Sequence, residues 1–514
     1  MAVANSSLFT LHLQSKILHS SLAKQDSSLF TLHSSLRWLT LCCLLSIAAT
    51  TFGKSDKKPY PGGRQYVFRI TLRDKAGTPY SLSHPTRWLS HKSIERRRRQ
   101  GLPLDSTDLP LSSVYLKVLR AQRGMNIVGR SRWHNTVLMR SADSTALRQL
   151  TQLEFVTKSE LVWISPDSIE PSLIKWKYQD TFTPWDSLNH GHYGNGTEQI
   201  ETLNGHQLHN TGYRGKGMTI AVLDGGFRNV DRIPALMRAN IVGTHDFVSP
   251  IMYPDADSQT QDALLFNDTE HGTKVLSVMA ANEPQVLVGT APEARYWLLR
   301  CEDQASEQPI EEDYWTMAAE FADSAGVDII NSSLGYNDYD PPHRDYRLDE
   351  LDGSTAFISQ SASLLTKKGI ILVNSAGNTG MGAWKKICVP ADAHQVLTVG
   401  ALNGEGKNAP FSSVGPTQDG RVKPDVMAIG SPTALISGRG TIVRDMGTSF
   451  STPVVAGLVA CLWQALPQKS ALDIISLVRK SADNHLTPNN VYGYGRPDFW
   501  RAFMIGKLDT NKTN

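Results

Sequence analysis

The chain of 514 residues is long enough for about two to four domains and a large core. Its composition, 40% hydrophobic and 20% charged, is that of an ordinary globular protein and carries no collagen-like or coiled-coil bias. A net charge of +3 is small for this length and excludes a strongly basic nucleic-acid binder.

The first distinctive segment is "LRWLTLCCLLSIAATTFGKSD", in which Arg37 precedes an apolar stretch from Trp38 to Ala49, then small and polar residues. That layout predicts a secretory signal peptide region over residues 1–53 and export to the periplasm, cell surface or medium. A buried helix or an anchor is the alternative, although the stretch is short for a membrane span. "SSLFTLH" occurs twice upstream, at Ser6 and Ser27, and Arg37 lies far from Met1, which leaves a later start codon open. Leu41 before Cys42 argues against lipoprotein cleavage.

Residues 60–165 read as a small α+β domain. "YVFRITL" alternates as a strand, "HKSIERRRRQG" is a helix ended by Gly101, and "SSVYLKVLRAQRG" is a helix capped by Ser112 or Ser113. "MNIVGRSRW" and "NTVLMRS" are paired strands. "SADSTALRQLTQL" places Ala146, Leu147, Leu150 and Leu153 on one helical face, and "EFVTKSELVW" closes as a strand. The Arg96–Arg99 cluster is read as a solvated helix face pairing with acids, in preference to a processing site or anion patch.

Residues 166–215, rich in Pro, Asn, Gly and His, are a linker and the entry to the next domain. From 216 to 505 short apolar strands recur: "MTIAVLD", "ARYWLLR", "VDIINSSLG", "GIILVNSAGN" and "QVLTVGAL". Amphipathic segments such as "EEDYWTMAAEFADSAG" and "STAFISQSASLLTKKG" lie between several of them. This alternation predicts an α/β fold of three layers around a mainly parallel sheet, with ligands beyond the carboxyl ends of its strands. "VVAGLVACLW" has the length of a buried core helix, too short to span a membrane. Cys301, Cys388 and Cys461 are too few and too scattered for a disulfide framework or a metal site.

Four chemically useful residues fall at those strand ends or at helix starts. Asp224 ends "MTIAVLD" before Gly225 and Gly226; alone it reads as a turn or capping aspartate. His271 in "TEHGTKVLSVMAA" stands at a helix N-terminus; alone it reads as a surface or satisfied histidine. Asn378 in "NSAGNTG" is either turn chemistry or a donor aimed at a developing negative charge. Ser449 in "GTSFSTP" begins a helix with Pro453 in its first turn, either as an N-cap or as something more reactive. An acid, an imidazole, an amide and a hydroxyl are what nucleophilic serine chemistry requires: a base, a group that orients it, and an oxyanion donor. The Gly-x-Ser-x-Gly elbow is absent, which argues against an α/β-hydrolase esterase.

These residues resemble the subtilisin-like serine peptidases, or subtilases, from about Tyr193 to Phe503. "HGTKVLSV" and "GTSFSTPVVAG" carry the resemblance, supported by "AVLDGGF" and "SAGN", and the wider runs are similar to exported subtilases of Bacteroidetes-type bacteria. The resemblance implies Asp224, His271 and Ser449 as catalytic triad and Asn378 as oxyanion donor. It implies Ser332, Ser333, Leu334 and Gly335 as the strand lining substrate, with Ser375, Ala376 and Gly377 as the opposite wall. It departs from the common pattern at Glu270, Phe450 and Ser451, none of which is a catalytic group. The implied protein is a monomeric endopeptidase made as a zymogen, acting on protein or peptide substrates. Residues 60–165 would be an inhibitory, fold-assisting prodomain, cut off somewhere between Trp163 and Tyr193. No cofactor is required; calcium enters by family resemblance only, and no metal ligand set is legible. The rival is a catalytically silent binding protein on the same scaffold. The acidic run "EDQASEQPIEED" either favours basic substrate side chains or forms a solvated loop that partners Arg96–Arg99.

Overall fold

The computed structural model describes residues 58–169, 191–253 and 264–511. The expected signal peptide region and residues 170–190 of the expected linker lie outside the described residues, while the rest of that linker includes two short helices, Thr197–Glu201 and Gly205–Asn210. A separate small unit holds Lys58, Ser168 and Ile169 in two short paired strands. The remaining described residues belong to one large unit.

Its N-terminal region contains β1 (Tyr66–Leu72), α1 (His91–Arg99), α2 (Ser113–Arg120), β2 (Met125–Ser131), β3 (Thr136–Ser141) and β4 (Val156–Ile164). The strands form an antiparallel sheet in the order β2-β3-β1-β4. Both helices begin on serines that accept a backbone N–H, Ser90 from Ser93 and Ser112 from Tyr115. Phe68, Ile70, Leu116, Leu119, Val137, Met139 and Leu150 fill the core between sheet and helices. The third expected helix is shorter than its pattern, spanning Ala146–Leu150. The Thr151 hydroxyl takes the Arg148 carbonyl at 2.8 Å, and the chain turns there into β4.

The C-terminal region is built on seven strands: β5 (Thr219–Asp224), β6 (Asn240–Asp246), β7 (Arg295–Arg300), β8 (Ile329–Ser332), β9 (Ile371–Ser375), β10 (Leu397–Asn403) and β11 (Val426–Ser431). All pair in parallel, in the order β11-β10-β9-β8-β5-β7-β6. Ile220, Val222, Ile371 and Val373 share one core with the helices α3 (His271–Ala280) and α6 (Thr448–Ala465). Ala221, Leu223 and Leu372 alternate onto the other face and are equally buried. Helices α4 (Ile310–Ala325) and α5 (Phe357–Leu364) pack together, α4 also against β5 and β7. Both sheet faces are therefore covered, as continuous apolar strands require.

Helix α6 is buried on all sides from Thr448 to Trp463, which explains its lack of a polar stripe. Pro453 is the sixth helical residue and not in the first turn as expected, because the helix already begins at Thr448. In that position proline withholds the N–H that the Ser449 carbonyl would accept. The Ser333 hydroxyl takes that carbonyl instead, at 2.9 Å.

Two readings of charge are corrected. Arg96 and Arg97 are buried, while only Arg98 and Arg99 face water. Arg96 bonds Asp323 of α4 at 2.5 Å; Arg97 bonds Asp323 at 2.8 Å and Asp108 at 2.9 Å, and Arg132 adds a contact to Asp323 at 3.1 Å. Burial alone would raise the Asp323 carboxyl, but Arg97, Arg96 and Arg132 reverse this and hold it down to about 2. The acidic run is likewise no solvated loop at its end: Glu311, Glu312 and Asp313 are buried in the first turn of α4, where the helix dipole favours acids. Asp313 pairs with Arg69 of β1 at 2.5 Å, so its cation comes from the sheet and not from Arg96–Arg99.

Candidate active site

Asp224 ends β5 at the carboxyl edge of the sheet and is fully buried. A carboxylate there needs donors. The Gly225 N–H donates to Oδ1 at 2.8 Å, and His271 Nδ1 lies 2.9 and 3.0 Å from Oδ1 and Oδ2. Arg300, level with Asp224 on neighbouring β7, braces this corner. Its guanidinium holds the Gly225 carbonyl at 2.9 Å, Asp246 at 3.0 Å and Asp268 at 2.6 Å.

His271 is the first residue of α3, fixed by the Gly272 N–H on the Gly226 carbonyl at 3.0 Å. A Cβ at Gly272 would come within 2.5 Å of that carbonyl oxygen, so the close approach requires glycine. Burial opposes charge on the imidazole, but the Asp224 carboxylate, with help from Glu302, outweighs it and raises the pKa to about 9. The ring keeps 30% of its surface open. Its neighbour Glu270 pairs with Lys274 at 2.9 Å and accepts the Gly438 N–H at 3.0 Å, which gives that departure from the common pattern a structural role.

Ser449 is the second residue of α6, and Gly447 occupies the N-cap, so Ser449 does not cap the helix. Its Oγ donates to the Ser333 carbonyl at 3.3 Å. Phe450, the next residue, packs against the His271 ring with centroids 5.8 Å apart, bringing the mouths of α3 and α6 together. A first-turn N–H such as that of Ser449 has no intrahelical partner. Asn378 is exposed on the loop after β9. Its Oδ1 accepts from Thr448 N at 2.9 Å and Thr448 Oγ1 at 3.0 Å, which orients the amide and leaves its NH2 group as the outward donor.

The segment after β8 and the segment after β9 are tied together, with Ser375 Oγ and Asn374 Nδ2 each donating to the Leu334 carbonyl at 3.2 Å. Ser332, Ser333, Leu334, Ser375 and Ala376 are buried, Gly377 is half-buried and Gly335 is exposed. Sequence reasoning missed Thr448 and Arg300, and it took Glu302 only as part of the acidic run, without its place beside Asp224 and His271. Arg300 ends an apolar strand, and a buried cation at a strand end was the one available signal for it.

The chain matches the Subtilase family over residues 215–495, more than half its length, and a Bacteroidota propeptide domain of S8 peptidases over residues 67–174. It is 29% identical over 299 residues to Subtilisin NAT of Bacillus subtilis subsp. natto, covering 58% of this chain and 68% of that one. Subtilisin Savinase of Lederbergia lenta is 28% identical over 288 residues, 56% of this chain and 91% of its own. Subtilisin E of Bacillus subtilis strain 168 is 28% identical over 299 residues, 58% and 68% of the two chains. The chain therefore belongs to the subtilase family of serine-type peptidases and carries a propeptide domain ahead of the enzyme.

Proposed function

We propose that this protein is an exported endopeptidase, made as a zymogen, whose triad is Asp224, His271 and Ser449. The observation that carries the reading is the contact of His271 Nδ1 with the buried Asp224 carboxylate at 2.9 and 3.0 Å, beside a serine at a helix mouth. Such a carboxylate fixes the imidazole with Nε2 free to act as base, and it stabilises the imidazolium that forms.

Substrate lies extended along Ser332–Gly335, with Ser375–Gly377 as the facing wall of the primary pocket. Ser449 Oγ swings from the Ser333 carbonyl to His271 Nε2, gives up its proton and attacks the scissile carbonyl carbon. The resulting oxyanion takes hydrogen bonds from the Asn378 amide and the Ser449 N–H. His271 then delivers the proton to the leaving amine, which leaves an acyl ester on Ser449. Water enters, loses a proton to His271 and releases the acid, restoring the free serine.

Residues 1–53 serve as the signal region, residues 60–165 as the propeptide, and the cut falls between Trp163 and Tyr193, leaving a monomeric enzyme built on 216–505. Among the described residues no group of three or more His, Cys, Asp or Glu side chains is arranged to hold a metal ion, and no step runs through calcium.

The test is cleavage of casein and peptides by Ser449→Ala protein, with labelling by a serine-reactive phosphonate. Loss of cleavage, and labelling that requires both His271 and Ser449, is the expected result. Near-native cleavage by the variant overturns the assignment.

A further inference from the structure

A line of carboxylates without a lysine or arginine partner runs beside this site. Glu302 follows β7, in the field of Asp224 and His271. A Cβ on Gly225 would meet its Oε2 at 3.1 Å. Further along, the Glu307 N–H donates to Asp340 Oδ2 at 3.0 Å and the Asp340 N–H donates to the Glu307 carbonyl at 2.8 Å. The chain leaving Gly335 is thereby stitched to the chain leaving Glu302.

Glu307 and Asp338 both act on the Cys388 thiol. Cys388 sits between the two proposed substrate walls, since a Cβ on Gly335 or Gly377 would meet its side chain at 3.0 or 2.7 Å. The acids thus extend from His271 to the primary pocket.

Several other buried acids of this chain have cations, Asp313 with Arg69, Asp323 with Arg96 and Arg97, Asp328 with Lys92 and Asp425 with Lys423. Buried Glu312 and Asp392 are satisfied instead by neutral hydroxyl and N–H donors. Among the described residues Glu302, Glu307, Glu311, Asp338 and Asp340 pair with no lysine or arginine. Glu311 adds an independent sign of a missing partner. It is 1% exposed, its Oε1 accepts the Asp303 N–H at 2.7 Å, and its Oε2 is buried without a hydrogen bond. Burial and mutual repulsion push Glu302, Glu307 and Glu311 above the usual carboxylate range. A cleft of one charge sign, walled by protein, concentrates the opposite charge. No three of these groups converge as metal ligands. Charge strung along a groove suits an extended cationic chain better than a single ion.

We propose that Glu302, Glu307 and Asp338 select substrates bearing Lys or Arg on the acyl side of the scissile bond. The inference rests on the peptidase reading above, in which Ser332–Gly335 holds that side of the substrate and leads directly into Asp338. The neutralising cation arrives with the peptide.

The test is cleavage profiling of the processed enzyme on a peptide library, followed by kcat/KM on matched lysine and norleucine peptides at low and high salt. The expected preference for lysine is about 10-fold or more, expressed in KM, weakened by salt, and reduced about 10-fold in Glu307→Gln combined with Asp338→Asn. Lysine and norleucine peptides cut equally well overturn this inference and leave the peptidase reading intact. No cleavage, with no phosphonate labelling of Ser449, overturns both. Calcium binding lost in Glu307→Gln, with no lysine preference, assigns the acids to a metal and overturns it as well.

Discussion

Ser333 and Ser449 exchange hydrogen bonds in both directions. The Ser333 hydroxyl donates to the Ser449 carbonyl at 2.9 Å, and the Ser449 hydroxyl donates to the Ser333 carbonyl at 3.3 Å. The first bond exists because Pro453 cannot use that carbonyl. Proline and serine together lock the start of α6 to the segment after β8. Ser333→Ala should cost about 1–3 kcal/mol by leaving a buried carbonyl unsatisfied. Urea unfolding of the Ser449→Ala background measures this without self-digestion, and Ser333→Thr should recover most of the loss.

The imidazole acts as a base only when neutral. With its pKa raised to about 9, His271 is mostly protonated at pH 7, so kcat/KM should climb with pH and reach half its plateau near 9. The same shift is a stability statement: the stabilisation is complete below about pH 6.5, the unfolded value, and is lost as pH rises through about 9. Asp224→Asn should move the kinetic midpoint down and lower kcat by about 10⁴. A pH–rate profile of both proteins checks the two effects together.

If Asn378 is the oxyanion donor proposed above, Asn378→Ala should lower kcat by about 10²–10³ while leaving KM nearly unchanged, because such a donor works only once the oxyanion forms. Thr448→Val, which removes one of the two donors that orient the amide, should give a smaller loss in the same direction. Steady-state kinetics on one peptide substrate separates the two magnitudes.

Asp323→Asn should destabilise the uncut chain by about 3–5 kcal/mol, since Arg96 would stay buried with no carboxylate partner and Arg97 would keep only Asp108. The carboxyl of Asp323 lies below its unfolded value, so its contribution is present above about pH 4 and disappears as pH falls toward 2. Acid titration followed by tryptophan fluorescence should show the wild-type transition, and the variant should lack the part that belongs to this group. The isolated propeptide carrying the wild-type arginines should also inhibit an Asp323→Asn enzyme more weakly than the parent.

What could be read from the sequence was local. Asp224, His271, Asn378 and Ser449 each stand where an apolar run stops or a helix starts, and that punctuation is written in neighbouring residues. The charges at Arg96, Arg97 and Asp313 were misjudged because burial there depends on partners more than two hundred residues away. The edge strand β6 escaped notice because "NIVGTHD" mixes exposed and half-buried positions, as one face of an edge strand must. β11 lies between Pro424 and Pro432 and contains Gly430, so it looks like loop. Pro453 was placed one turn too early because nothing in "GTSFSTP" marks whether the helix begins before or after the serine.

Water has almost no access to the knot of Arg96, Arg97 and Asp323, whose side chains are at most 2% exposed. Parting the two regions takes the Asp323 carboxylate from both guanidiniums before solvent can replace it, leaving Arg97 only Asp108 and Arg96 no carboxylate, so the first steps of separation are uphill. Scission of the connecting chain would then leave the pieces clasped. Activity would follow only after the smaller piece unravels or is digested, and the knot becomes a timer for the interval between being cut and being free.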